Sequence, residues 1–97
     1  MSTIVEMTIF PTDKGESVSV YVVRALRIIK DSGLDYEINS MGTCIEGQWD
    51  KVMDVVNQCF KALETDCSRI FMTLKADYRK GMEGRLKGKV RSVQEKL

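Results

Sequence analysis

The chain contains no histidine among its 97 residues. That absence removes the side chain that titrates nearest neutral pH, the commonest zinc ligand and the partner of any Ser-His or Cys-His couple. Most hydrolase mechanisms lose their first candidate. Proline and tryptophan occur once each, and no apolar run approaches the roughly 20 residues a membrane-spanning helix needs. The three cysteines, Cys44, Cys59 and Cys67, are odd in number and form no C-x-x-C spacing, so reduced thiols are expected rather than a disulfide framework or a metal clip. Residues 1–10 lack the basic start of a secretory signal. A cytoplasmic protein without membrane segments follows as the expectation.

What is present is ordinary for a globular chain: 43% hydrophobic and 30% charged residues. Residues 1–97 form one domain on length grounds, which excludes a two-domain enzyme. Net charge is only +1, yet residues 75–97 hold eight Lys/Arg against three Asp/Glu. A basic tail raises nucleic-acid binding, but no RNP-like run is present and only Phe10 and Phe71 could serve as exposed strand aromatics. The tail reads as a solvated basic helix face, with no nucleic-acid partner expected.

Hydrophobic periodicity divides the chain into seven elements. Val5, Met7 and Ile9 alternate with Glu6 and Thr8 over residues 3–10, as in a strand with one buried face. Ser17 or Ser19 can cap a helix reaching about Lys30, with Val18, Val22, Ala25, Leu26 and Ile29 at helical spacing. Val20 and Val23 lie off that stripe and point to a partner surface. Two short strands are expected over residues 34–40 and 43–45, then a helix from about Gln48 or Asp50 with Trp49, Val52, Met53, Val56, Phe60 and Leu63 on its apolar side. Ile70, Met72, Leu74 and Ala76 mark a last strand; residues 78–81 read as a connection, and Met82, Leu86, Val90, Val93 and Leu97 as the stripe of a final helix weakened by Gly84 and Gly88.

Strand, helix, strand, strand, helix, strand is the ferredoxin-like split βαβ order: an α+β fold with a four-stranded antiparallel sheet, two helices on one face and an added C-terminal helix. The second sheet face is expected to stay open. Its mixture of Glu6, Thr8, Phe10, Phe71, Lys75 and Asp77 suits another sheet or a ligand, and a homo-oligomer is expected.

Three places could carry chemistry. The run Gly42-Thr43-Cys44-Ile45-Glu46-Gly47 brackets a hydroxyl and a carboxylate between glycines that allow tight turning or close approach. Ser17 and Ser19 place hydroxyls where a helix start favours anions or electron-rich atoms. Asp77, between Lys75 and Arg79, could act as an acid or base, although an inert surface ladder accounts for the same pattern. Cys44 lacks a histidine to activate it and reads as a half-buried thiol.

Taken together, Ser17-Val18-Ser19-Val20-Tyr21-Val22, Ser32-Gly33-Leu34-Asp35-Tyr36, Gly42-Thr43-Cys44-Ile45-Glu46-Gly47-Gln48-Trp49-Asp50 and Lys75-Ala76-Asp77-Tyr78-Arg79 resemble the thiamine-binding protein family across nearly the whole chain. The resemblance implies a ferredoxin-like fold, assembly as dimers or dimers of dimers, and binding of thiamine or its hydroxymethylpyrimidine part with no established reaction and no cofactor. Members often carry histidine near the place of Phe60 and glycine shortly before Arg69, where this chain has Cys67-Ser68. An aminopyrimidine offers a ring nitrogen beside an amino group, so Glu46, Thr43, Ser17 and Ser19 are candidate partners, with Tyr36 and Trp49 as aromatic faces for a thiazolium cation. The competing readings are an enzyme using Glu46 or Asp77 as acid/base and a purely structural or regulatory assembly unit.

Overall fold

The computed structural model describes residues 2–97. The elements are β1 (Ser2–Pro11), α1 (Ser19–Asp31), β2 (Asp35–Asn39), β3 (Gly42–Gly47), α2 (Trp49–Glu64), β4 (Ile70–Arg79) and α3 (Arg85–Gln94). All strand pairs are antiparallel in the order β2-β3-β1-β4, so β1 and β3 are central and β4 is an edge. This is the split βαβ arrangement with an added C-terminal helix that the element order predicts.

Alternation fixes which side of the sheet is buried. Val5, Met7 and Ile9 of β1 and Ile45 of β3 are buried, in register Val5 to Ile45 and Met7 to Thr43. Above them lie Ala25 and Ile29 of α1 and Val52, Val55, Val56, Cys59 and Leu63 of α2. The α2 stripe is rotated from the expected one: Val55 and Cys59 are buried, Met53 and Phe60 are half-buried, and Trp49 is exposed. The cause is α1, which packs beside α2 and covers its Cys59 side; the Cys59 thiol donates to the Ala25 carbonyl at 3.5 Å. Arg24 reinforces the pair by bonding the Ala62 carbonyl and both Asp66 carboxylate oxygens.

Three local expectations are corrected. The strand expected over residues 43–45 extends through both bracketing glycines as β3, and neither glycine turns the chain or has a positive φ. Val18, not a serine, occupies the N-cap of α1, and no side chain caps it. β4 runs on to Arg79, and its Met72, Leu74 and Ala76 are exposed on the helix side. An edge strand reaches past the footprint of two helices, so alternation there does not produce burial.

The second sheet face is not wholly open either. Ile45 and Val5 face the two helices, so Glu46 and its register partner Ile4, with Asp77 opposite Ile4 on the other side, face away from them. There Glu46 and Asp77 meet α3, which lies across one end of the sheet. It begins at Arg85 rather than Met82, after Gly84 at φ +66°. Only Leu86 of its apolar stripe is buried; Val90, Val93 and Leu97 are exposed.

Candidate functional site

A cavity of about 300 Å³ opens where the N-terminal half of α1 parts from the sheet. Its floor is residues 7–10 of β1, its roof Val18, Val22, Ala25 and Leu26, and its third wall the end of the β2–β3 hairpin, residues 38–43. The apolar stripe of α1 thus does two jobs. Ala25 and Ile29 close the core, whereas Val18 and Val22 stay partly uncovered above the cavity. No ionisable side chain lines this space among the described residues. It offers apolar walls with a few polar groups, the usual composition of a small-molecule site.

Thr43 is the one residue of the six candidates that lines the cavity. Its side chain lies on the helix side of β3 and is buried, because it pairs with Met7 in the core-facing register. Ser17 and Ser19 are exposed on either side of Val18 at the helix start. Tyr36 is half-buried opposite Ile45 and borders a separate shallow groove with Val23, Arg27 and Ile38. Trp49 is the first residue of α2 and is 46% exposed.

Glu46 occupies a different environment. Three positions from Thr43 on a strand, it points to the opposite face. Its Oε2 accepts the Arg85 N–H at 2.9 Å and its Oε1 the Leu86 N–H at 3.1 Å, so it caps α3 from 39 residues away. Burial pushes the Glu46 carboxyl up, but those two amides, Ser2 and the Arg85 charge together hold it below the ordinary glutamate value. Arg85 itself is 5% exposed. Its guanidinium donates to the Ser2 hydroxyl at 2.8 Å, the Ser2 carbonyl at 3.0 Å, the Asp77 carbonyl at 2.8 Å and the Asp77 carboxylate at 3.0 Å. Asp77 also pairs with Lys89, and these bonds lower its carboxyl from the ordinary aspartate value. Thr43 and Glu46 therefore serve two separate constructions on opposite faces.

The thiols are not activated. Burial, then the nearby charges of Glu6 and Glu37, push the Cys44 thiol up, and burial pushes Cys59 up to about 11. Lys75 pairs with Glu6 at 3.5 Å as an exposed cross-strand contact. Sequence reasoning missed the contribution of Met7, Phe10 and residues 38–42 to the cavity, because nothing in a strand's periodicity says where a helix will diverge from it.

Fold and cavity together define a small ferredoxin-like α+β protein with a neutral pocket between its first helix and its sheet. A solved structure with that fold is a hypothetical protein of Methanocaldococcus jannaschii, similar at 33% identity over 97% of each chain with a TM-score of 0.88. The chain belongs to the thiamine-binding protein family, whose model, described as "Thiamine-binding protein", matches residues 5–94. It is similar to a UPF0045 protein of Methanocaldococcus jannaschii, at 34% identity over 95% of this chain and 92% of that one. A UPF0045 protein of Mycobacterium bovis is 35% identical over 100% and 96%. A Thermotoga maritima structure shares the fold with a TM-score of 0.80 at 24% identity, over 94% of this chain and 99% of that one; it is provisionally described as a thiamine biosynthesis/salvage protein. No helix among the described residues is long and apolar enough to cross a membrane.

Proposed function

We propose that this protein binds thiamine or its hydroxymethylpyrimidine part, without catalysis, in the cavity between α1 and the β2–β3 hairpin. The observation that carries the reading is the neutral lining of that cavity with the buried Thr43 at its wall. An uncharged aminopyrimidine ring is apolar on its faces and polar along one edge, so apolar walls cover the faces while a hydroxyl and backbone groups serve the edge. Thr43 and residues 39–42 line the cavity and would serve that edge. The family's description as a binding protein supports the same class. Glu46 and Asp77 are held ionised by their partners, which makes them poor proton donors near neutral pH, and the same lowering makes them weak bases; both effects favour binding over acid/base chemistry.

Self-association accompanies this reading. The ten residues of β4 form an exposed sheet edge with Phe71, Met72, Leu74 and Tyr78 uncovered, a surface that a second copy would cover as a dimer or dimer of dimers. Light scattering behind size exclusion measures this directly, and a monomer at micromolar concentration removes it.

Isothermal titration with thiamine and with hydroxymethylpyrimidine tests the ligand. Thr43→Val is expected to weaken binding about three- to tenfold, the range of one hydrogen bond, whereas Glu46→Gln leaves affinity unchanged because its carboxylate faces α3. Absence of binding heat with either compound sinks the ligand; equal affinity in wild type and Thr43→Val sinks the role of Thr43.

A further inference from the structure

The third wall of the cavity is the end of the β2–β3 hairpin. Asn39 pairs with Gly42, so the chain reverses through Ser40 and Met41 alone, a two-residue turn. The turn is also tied from outside the hairpin. Thr8 of β1 lies on the face away from the helices, beside Gly42, and its hydroxyl donates to the Met41 carbonyl at 2.6 Å. Gly42 leaves the room for this contact. A Cβ there would stand 3.0 Å from the Thr8 Oγ1 and 3.1 Å from the Met7 carbonyl, tighter than most side-chain carbons pack, so a larger residue would push the hydroxyl or the strand back by a few tenths of an ångström.

We propose that the Ser40–Met41 turn is an adjustable rim of the cavity and that Thr8 is its clamp, a positioning residue that sets how open the binding site is. The inference rests on the ligand reading above and adds to it how the site is regulated. An exposed hydrogen bond contributes little net free energy, so the rim opens far more readily than the core. The Met41 side chain, 85% exposed, stands on that rim. Its unbranched thioether can fold over an occupied cavity with little rotamer penalty. With the clamp closed, residues 38–43 hold the wall against which a bound ring would rest. With it open, the turn loses its side-chain tie to β1 while Thr43 stays paired with Met7, and the ligand leaves sooner.

The test uses the intact protein with Thr8→Val, which keeps the shape and removes the donor, and Thr8→Ser, which restores it. Hydrogen exchange in the free protein is expected to be several-fold faster at residues 40–42 in Thr8→Val, and close to wild type in Thr8→Ser, with the core amides unchanged. Stopped-flow release of hydroxymethylpyrimidine is expected to be about three- to tenfold faster in Thr8→Val, the equivalent of one net hydrogen bond, and restored in Thr8→Ser. Unchanged exchange at 40–42 overturns the clamp whatever the ligand. Faster exchange with unchanged release overturns its control of the site. A wild-type protein that binds neither thiamine nor hydroxymethylpyrimidine overturns the ligand reading and the regulatory role with it, while the exchange data still decide whether Thr8 holds the turn.

Discussion

The two faces of the sheet are covered by opposite means. On one, α1 and α2 bury a continuous apolar layer in which Ile29, Ile45, Val52 and Leu63 have no exposed surface. On the other, α3 is held by one buried leucine and a polar junction of Glu46, Arg85, Ser2 and Asp77. The first attachment depends on apolar area, which no change of pH or salt near neutrality alters much. The second depends on charge and hydrogen-bond geometry, so it is conditional. The core-side face is therefore the scaffold that can shape a cavity, and the far face carries an element expected to detach without unfolding the rest.

The sharpest way to separate the two is to damage each. Ile45→Ala is expected to cost about 3 kcal/mol of global stability, within the range for a buried isoleucine that leaves a cavity; urea unfolding followed by circular dichroism reads it. Arg85→Met is expected to cost about 2 kcal/mol, below the figure for a fully buried pair because its Asp77 partner is half exposed. That loss falls on α3 alone. Hydrogen exchange should show residues 85–94 unprotected while the amides of β1 and β3 keep their wild-type protection. Equal loss of protection in α3 and in the central strands would show one cooperative unit and break the comparison.

How much of this was legible follows from the range of each interaction. Alternation in β1 and the helical spacing of α1 and α2 report contacts that every residue of one element makes on one side, so the elements, their order and the helix-covered face could be read locally. The exposed Val20 and Val23 could be read the same way. The position of β4 at an edge could not, because Met72 and Leu74 look like core residues until the length of the strand is set against two helices that do not reach it. The Glu46–Arg85 junction spans 39 residues, and nothing local links a carboxylate at the end of one strand to the first amides of a helix much later. The motif marked Glu46 as special; only the fold shows that its oxygens meet α3. The cavity is the complementary case, in which Thr43 was legible as a hydroxyl in a distinctive run but the hairpin wall around it was not.

Acid should reproduce a milder form of the Arg85 lesion. The carboxyls of Glu46 and Asp77 both lie below their ordinary values in the folded protein. Their contribution is therefore complete above the ordinary values of 4.5 and 3.8 and is lost as pH falls through the lowered folded values. Protonated Glu46 keeps one good acceptor for two amides, and the cap weakens by about 1 kcal/mol, as for other N-cap losses. Glu46→Gln at neutral pH should reproduce the Glu46 share of the acid loss of α3 protection in hydrogen exchange, without moving the unfolding midpoint of the core by much. An α3 that stays protected to the pH where the whole chain unfolds would place the junction inside the core unit.

The smallest effect is the most discriminating. Lys89 also touches the Asp77 carboxylate, but more than half of its side chain is exposed, and solvent screens such a pair until it contributes almost nothing. Arg85 and Lys89 thus reach the same carboxylate from one helix, one buried and one in water. Lys89→Ala should leave α3 protection and the unfolding midpoint at wild-type values, and should remove what salt sensitivity α3 docking has below physiological ionic strength. If charge near Asp77 were what holds the helix, Lys89→Ala would approach Arg85→Met in effect. If instead the fork geometry of Arg85, bonded at once to Ser2 and to the Asp77 backbone, holds it, the two variants separate widely; the second outcome is expected, because two of the four guanidinium bonds go to backbone carbonyls that carry no net charge.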